Sequence, residues 1–281
     1  IANAFFMCRH IERARRIVKG ASPVVVAASG PSLKSALPSL ARFRTSYFLV
    51  AASSALSALT ERGIVPDVCI ATDGGFYAKA HLSPLTRFPH TALALAEEAS
   101  CSGAVLSTCA VIPLSYGDGI AASLFAACGI PAMKIERNGT VSGSALSFAR
   151  SITDGPVFLA PTSGFQHALP NSLEKDAAQF YMKTFSQETK NSASRFASGS
   201  LELYRKWFQS LPKARVKNVY RLAHDYRFSN TLGAIGDVDF DFFEKSLSPN
   251  GTLPRIADEA LAQKKDVQKS ALDFAKRHGQ S

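Results

Sequence analysis

No apolar run in this chain approaches the roughly 18 residues of a membrane-spanning helix, so no membrane span is expected. No Cys-x-x-Cys pair occurs. The five cysteines, Cys8, Cys69, Cys101, Cys109 and Cys128, are odd in number and mostly sit among Val, Ile, Ala and Leu. There a thiol acts as a small hydrophobe, which argues against a disulfide framework or a zinc site and for reduced, buried cysteines in a cytoplasmic protein. The basic residues Arg9, Arg13, Arg15, Arg16 and Lys19 do not form a signal-like apolar segment. No internal repeat, no low-complexity tract, no dense Lys/Arg block and no nucleic-acid motif is present, so nucleic acid is not an expected partner. A Ser-His-Asp elbow, a His-x-x-x-His pair and a catalytic cysteine setting are missing too.

What is present is an ordinary globular chain. Hydrophobic residues make up 46% of its 281 positions, enough for a substantial core and too many for a wholly disordered chain. Lys and Arg number 32 and Asp and Glu 22, giving a net charge of +10. A balance of that sign suits an anionic partner such as a phosphate, a nucleotide or an acidic sugar.

Strand and helix patterns alternate along the chain. Val24 to Ala27, Tyr47 to Ala51 and Val68 to Thr72 read as buried strands, followed by candidates at Thr91–Leu95, Ala104–Ser107, Ala132–Ile135 and Val157–Leu159. Leu33–Phe43, Ser54–Arg62 (closed by Gly63), 119–127 and 140–151 read as helices. This order predicts an α/β, Rossmann-like, doubly wound and mostly parallel sheet with a helical C-terminal extension. Residues 1–20 are expected to be a helix or linker, 21–185 the nucleotide-sugar-binding domain and 186–281 a mostly helical region. Within the last, the anchors are Leu201, Leu203, Tyr204, Trp207 and Phe208, with a strand at Val216–Leu222 and a charged helix at 256–278. Ligands bind outside the carboxyl ends of such strands, so the loops at 28–33, 72–77, 136–140 and 160–171 carry the most interest.

The first of these loops is Ser29-Gly30-Pro31-Ser32-Leu33. Gly30 lets a ligand approach the backbone, Pro31 suits helix entry, and Ser32 fits either a helix cap or a bond to a ligand oxygen. A helix N-terminus here favours phosphate. A plain strand-to-helix turn needs the same residues. The dinucleotide fingerprint and the Walker loop are both absent, because no further glycines and no Gly-Lys-Ser/Thr follow.

Gly30-Pro31-Ser32-Leu33 resembles the nucleotide loop of bacterial sialyltransferases. It is more similar still to that of the motility accessory factor family, flagellin glycosyltransferases that share a domain with 6-hydroxymethylpterin pyrophosphokinase-like proteins. Gly63-Ile64-Val65-Pro66-Asp67 with the strand running to Asp73, the Asn138-Gly139-Thr140 turn with its helix to Ala149, and Val219-Tyr220-Arg221-Leu222 resemble that family's segments in the same order. The resemblance covers about residues 22–235 and implies a glycosyltransferase. Its donor would be a CMP-activated nonulosonic acid of pseudaminic, legionaminic or sialic type. Its acceptor would be a Ser or Thr of flagellin. The related branch implies a 6-hydroxymethylpterin diphosphokinase using ATP and Mg²⁺, and a non-catalytic nucleotide-binding member is a third possibility. The family's Gly-x-Asp segment after the last sheet strand is replaced here by Ala160-Pro161-Thr162-Ser163-Gly164-Phe165, with no carboxylate. No cofactor is required by this reading, and a divalent metal stays open.

Asp73, followed by Gly74, stands at a strand's carboxyl end, where it fits a sugar hydroxyl, general-base chemistry or a plain helix cap. His167 is the expected general base, since an unperturbed imidazole titrates near neutrality. Ser29, Asn138, Gly139, Thr140, Ser163 and Asn171 complete the expected donor site. His81 and His90 read as structural. Asp237-x-Asp239-x-Asp241 has metal-motif spacing but reads as one solvated strand face. No residue is assigned to a metal.

Overall fold

The computed structural model describes residues 1–29, 33–75, 78–138, 140–160, 206–222, 232–247 and 251–278. The elements in chain order begin with α1 (Ala2–His10), β1 (Ala14–Val18), β2 (Val24–Ala27), α2 (Leu33–Arg42), β3 (Phe48–Ala52), α3 (Leu56–Thr60) and β4 (Val68–Ala71). Next come α4 (Ala78–Leu82), β5 (Ala92–Ala96), α5 (Gly103–Thr108), β6 (Val111–Ser115), α6 (Gly119–Ala127), β7 (Met133–Lys134) and α7 (Val141–Ile152). The chain continues through β8 (Val157–Ala160), β9 (Val219–Leu222), β10 (Gly236–Val238), α8 (Phe240–Ser246), β11 (Arg255–Glu259) and α9 (Lys264–Arg277). They fall into two compact units, one of residues 1–18, 67–137 and 255–281, the other of 19–66 and 138–254.

The first unit is built on the strand order β4-β5-β6-β1-β11, with β7 alongside the end of β6. All pairings are parallel except β1 with β11. Every side chain of β4 and β5 is buried, which explains why both strands are continuous apolar runs. β6 carries Pro113 in its middle and escapes the sequence pattern for that reason. Val111 and Pro113 turn their nitrogens away from β5; Val111 donates to the Arg13 carbonyl at 2.9 Å. Beyond Val111 the pairing with β1 has ended, and β7 begins only opposite Leu114. Pro113 occupies that gap, where no N–H is wanted. On α9, Val267, Ala271 and Phe274 form a buried stripe at helical spacing, and the helix packs against α1 and α6.

The second unit has the order β10-β9-β8-β2-β3, all parallel. β2 lies between β8 and β3 and is wholly buried. α7 packs on β2, β3 and β8. The core of this unit gathers Val25, Leu40, Tyr47, Leu49, Phe158 and Phe243. The Phe158 and Phe243 rings meet edge to face at 5.0 Å, and the Tyr47 hydroxyl donates to the Leu40 carbonyl at 2.6 Å.

The α/β, mostly parallel architecture expected from the sequence is observed. Individual elements differ. Ala104–Ser107 lies in helix α5, not a strand, because the Ser102 hydroxyl caps it by accepting the Val105 N–H at 3.4 Å. Residues 14–18 are a strand rather than helix or linker, and 255–259 is a strand rather than helix. These two pair with each other, Arg15 standing opposite Asp258 in an ion pair. The described residues after 205 therefore include three strands as well as helices. All five cysteines are free and buried.

Candidate functional site

In the second unit, β2 delivers its chain to Ala28 and Ser29. The Ala28 N–H donates to the Ala160 carbonyl at 2.8 Å, which prolongs the β8 pairing to the end of the strand. Ser29 is half-buried, and its hydroxyl meets that of Ser54 at 3.0 Å, just beyond β3. Gly30, Pro31 and Ser32 lie outside the described residues, as do Gly139, Ser163, His167 and Asn171.

Asn138 and Thr140 are committed to building the start of α7. The Thr140 hydroxyl caps the helix, accepting the Gly143 N–H at 2.8 Å. Asn138 Oδ1 accepts the Thr140 N–H at 3.2 Å and the Ser144 hydroxyl at 3.5 Å. The amide lies directly over Gly143, where a Cβ would sit 2.6 Å from Asn138 Cγ and Oδ1. Glycine is therefore required at 143 by close approach. These contacts engage the Thr140 hydroxyl and the Asn138 side-chain oxygen.

In the first unit, polar groups collect where β4, β5 and β6 end. Asp73 follows β4, is exposed, and its Oδ1 accepts the Gly75 N–H at 2.8 Å. Asp73 Oδ2 has no partner among the described residues. The Asp73 carbonyl takes the Ser100 N–H at 2.9 Å. Asn3 bridges the Gly74 carbonyl at 3.3 Å and the Glu98 carbonyl at 2.8 Å. Gly74 itself runs so close to Glu98 that a Cβ would lie 2.8 Å from that carbonyl oxygen.

Glu97 and Glu98 follow β5, and Tyr116 and Asp118 follow β6. Arg137 forms a two-pronged bond to Glu98 at 2.8 and 3.1 Å and reaches Asp118 at 2.9 Å. Its guanidinium lies over the Tyr116 ring, 4.1 Å from the centroid. Tyr116 meets the Thr72 side chain at the end of β4. Arg137 holds the Glu98 and Asp118 carboxyls below the usual carboxylate range, and they in turn hold it protonated. Glu97 is fully buried; burial pushes its carboxyl up. Burial also raises the Tyr116 phenol.

This rim sets the carboxylates of Asp73, Glu98 and Asp118 beside Arg137, and its carboxylates suit hydroxyl or amine groups. The sequence reading singled out Asp73 and Gly74 but not Glu97, Glu98, Tyr116 or Arg137. A signal existed: Glu97-Glu98 terminates the apolar run 92–96 just as Asp73 terminates 68–72. Asp237-x-Asp239-x-Asp241 is not one strand face. Asp237 clasps Arg221 at 2.6 and 2.5 Å, Asp239 caps α8 through the Phe242 N–H at 2.8 Å, and Asp241 lies in that helix's first turn. Among the described residues no cluster of His, Cys, Asp and Glu is placed to hold a metal ion, and no helix is long and apolar enough to cross a membrane.

The chain is 30% identical over 245 residues to an uncharacterized protein of Treponema pallidum (strain Nichols), covering 85% of this chain and 52% of that protein. It thus spans about half the length of this relative. Its fold matches the MAf glycosyltransferase from Magnetospirillum magneticum AMB-1 with a TM-score of 0.56 at 12% identity, over 98% of this chain and 41% of that one. Residues 1–160 match the family model described as 6-hydroxymethylpterin diphosphokinase MptE-like. That match takes in both strand-end clusters, the Asp73–Arg137 rim and the turn that starts α7, and the chain belongs to the MptE-like family.

Proposed function

We propose that this chain carries the donor-binding part of a glycosyltransferase that moves a nonulosonic acid from its CMP-activated form to a Ser or Thr hydroxyl of flagellin. The observation that carries this reading is the fold match to the MAf glycosyltransferase along 98% of the chain. In the reaction, the bond between the sugar's anomeric carbon and the CMP phosphate oxygen breaks, its electron pair leaving with CMP. A bond from the acceptor oxygen to that carbon forms, and the hydroxyl proton passes to a base. Asp73, exposed at the end of β4 with one carboxylate oxygen unengaged among the described residues, suits a hydroxyl donor and is our candidate for orienting the acceptor or sugar. His167 is the base proposed from the sequence. The CMP phosphate is assigned to the loop after β2 rather than to the acidic rim.

The family description favours a second reading, diphosphate transfer from ATP to a hydroxymethylpterin. Calorimetry with CMP and with ATP–Mg²⁺, together with mass spectrometry of flagellin incubated with CMP-nonulosonic acid, separates the two. Binding of CMP and a gain of one sugar mass support glycosyl transfer, with turnover reduced at least about tenfold in Asp73→Asn. ATP-dependent pterin diphosphorylation without sugar transfer establishes the second reading. Neither activity, with no binding of CMP, refutes the proposal.

A further inference from the structure

Glu97 is the first residue past β5 and is completely buried. Its Oε1 accepts the Tyr116 N–H at 3.2 Å, while its Oε2 has no hydrogen-bond partner among the described residues. A buried carboxylate with an unmet oxygen is far costlier than the same group carrying a proton. The charged groups that face it add to that cost. Glu98, on the same strand end, and Asp118, after β6, both repel its ionised form. Arg137 is already engaged with those two. Tyr116 contributes a neutral phenol. The Ser115 hydroxyl and the Tyr116 N–H favour the ionised form, but burial outweighs them.

The segment that Glu97 ties down is an exposed turn flanked by two glycines. Gly117 and Gly119 both adopt positive φ, 74° and 69°, and residues 117–120 are exposed. Between them Asp118 holds Arg137, and before them the Tyr116 ring covers the same guanidinium.

We propose that Glu97 is a proton-operated latch on the Tyr116–Gly119 turn: protonated, it stays dry and the turn stays closed; deprotonated, it opens the turn to admit water to Oε2. Opening frees Arg137 from Tyr116 and Asp118 together, and so changes the charge presented at the ends of β4, β5 and β6. The inference is independent of which ligand that rim takes. The folded carboxyl protonates above its unfolded range, so the latch's contribution is complete below about pH 4.3 and is lost as pH rises through the folded midpoint.

The test is amide hydrogen exchange of residues 115–119 in the whole protein from about pH 4 to about pH 8, corrected for intrinsic exchange, in wild type and Glu97→Gln. Wild type should lose about tenfold protection for each unit by which the carboxyl midpoint is raised, and the neutral amide of Glu97→Gln should keep protection flat. The Glu97 Cδ resonance, followed in wild type alone, should titrate above the ordinary glutamate range in step with that exchange. This readout serves even if Glu97→Gln does not fold. A flat wild-type profile, an equal pH response in Glu97→Gln, or a Cδ titration in the ordinary range overturns the latch.

Discussion

The three aspartates of the 237–241 stretch provide a graded test of how the second unit is held together. Replacing Asp237 by Ala removes the two-pronged partner of Arg221, whose side chain is 1% exposed. Breaking one side of a buried ion pair costs about 3–5 kcal/mol, chiefly because the surviving charge stays buried. Asp237 is itself 37% exposed and Arg221 keeps further contacts, so water and neighbours offset part of the loss. We expect about 2–3 kcal/mol. Asp239→Ala deletes the cap that receives the Phe242 N–H and should cost about 1 kcal/mol. Asp241→Ala removes an exposed charge from the first turn of α8 and should cost about 0.3 kcal/mol. Urea titration at neutral pH, with unchanged m-values, should order the midpoints wild type, 241, 239, 237 from highest to lowest. Equal losses for all three, or an Asp237→Ala effect below about 0.5 kcal/mol, would refute the structural account of the stretch. Equal losses accompanied by divalent-metal stabilisation of wild type alone would return it to a metal motif.

Two further outcomes follow from the strand-end clusters. Gly143→Ala should destabilise by about 1 kcal/mol alone, yet stabilise by about 0.5–1 kcal/mol in an Asn138→Ala background, where the new Cβ has room and the helix gains propensity; additive effects in the denaturation cycle would show that the amide does not press on residue 143. Glu98 titrates below the usual range because Arg137 holds it, so its stabilisation is present above about pH 4.3 and is lost as pH falls through the folded midpoint. The Glu98 side chain is 42% exposed, so that contribution is at most about 1 kcal/mol, and Arg137→Gln should flatten the acid limb of the melting-temperature profile; an unchanged acid limb would contradict the pairing.

Most of the fold was legible because most of its elements announce themselves locally. Val24–Ala27 is apolar throughout, and β-branched at its three valines, because β2 is buried on both faces between β8 and β3. The 119–127 helix and the cap-plus-helix from Thr140 were likewise readable within one window. The errors have local causes too. Val105-Leu106 is too short a run to separate strand from helix by period alone, and the deciding residue was the Ser102 cap. β1 and β11 carry Arg15, Arg16, Asp258 and Glu259, charges that look like a linker and a polar helix when read one segment at a time. Read together they are a cross-strand charge ladder.

The acidic rim was illegible for a different reason. Asp73 was found because a carboxylate at the end of a strand is conspicuous wherever the strand is conspicuous. Glu97 satisfies the same rule, yet what distinguishes it is burial, and burial depends on Tyr116, which donates its N–H from 19 positions downstream. Arg137 acquires its meaning only from Glu98 and Asp118, 39 and 19 positions away. Neighbouring glutamates are thus shifted in opposite directions, one pushed up by burial and one pulled down by a guanidinium, though the sequence presents them as an identical pair. A one-dimensional reading can locate strand ends, where chemistry is possible. Which way each of two adjacent carboxyls is shifted is decided by groups that folding brings in from other strands.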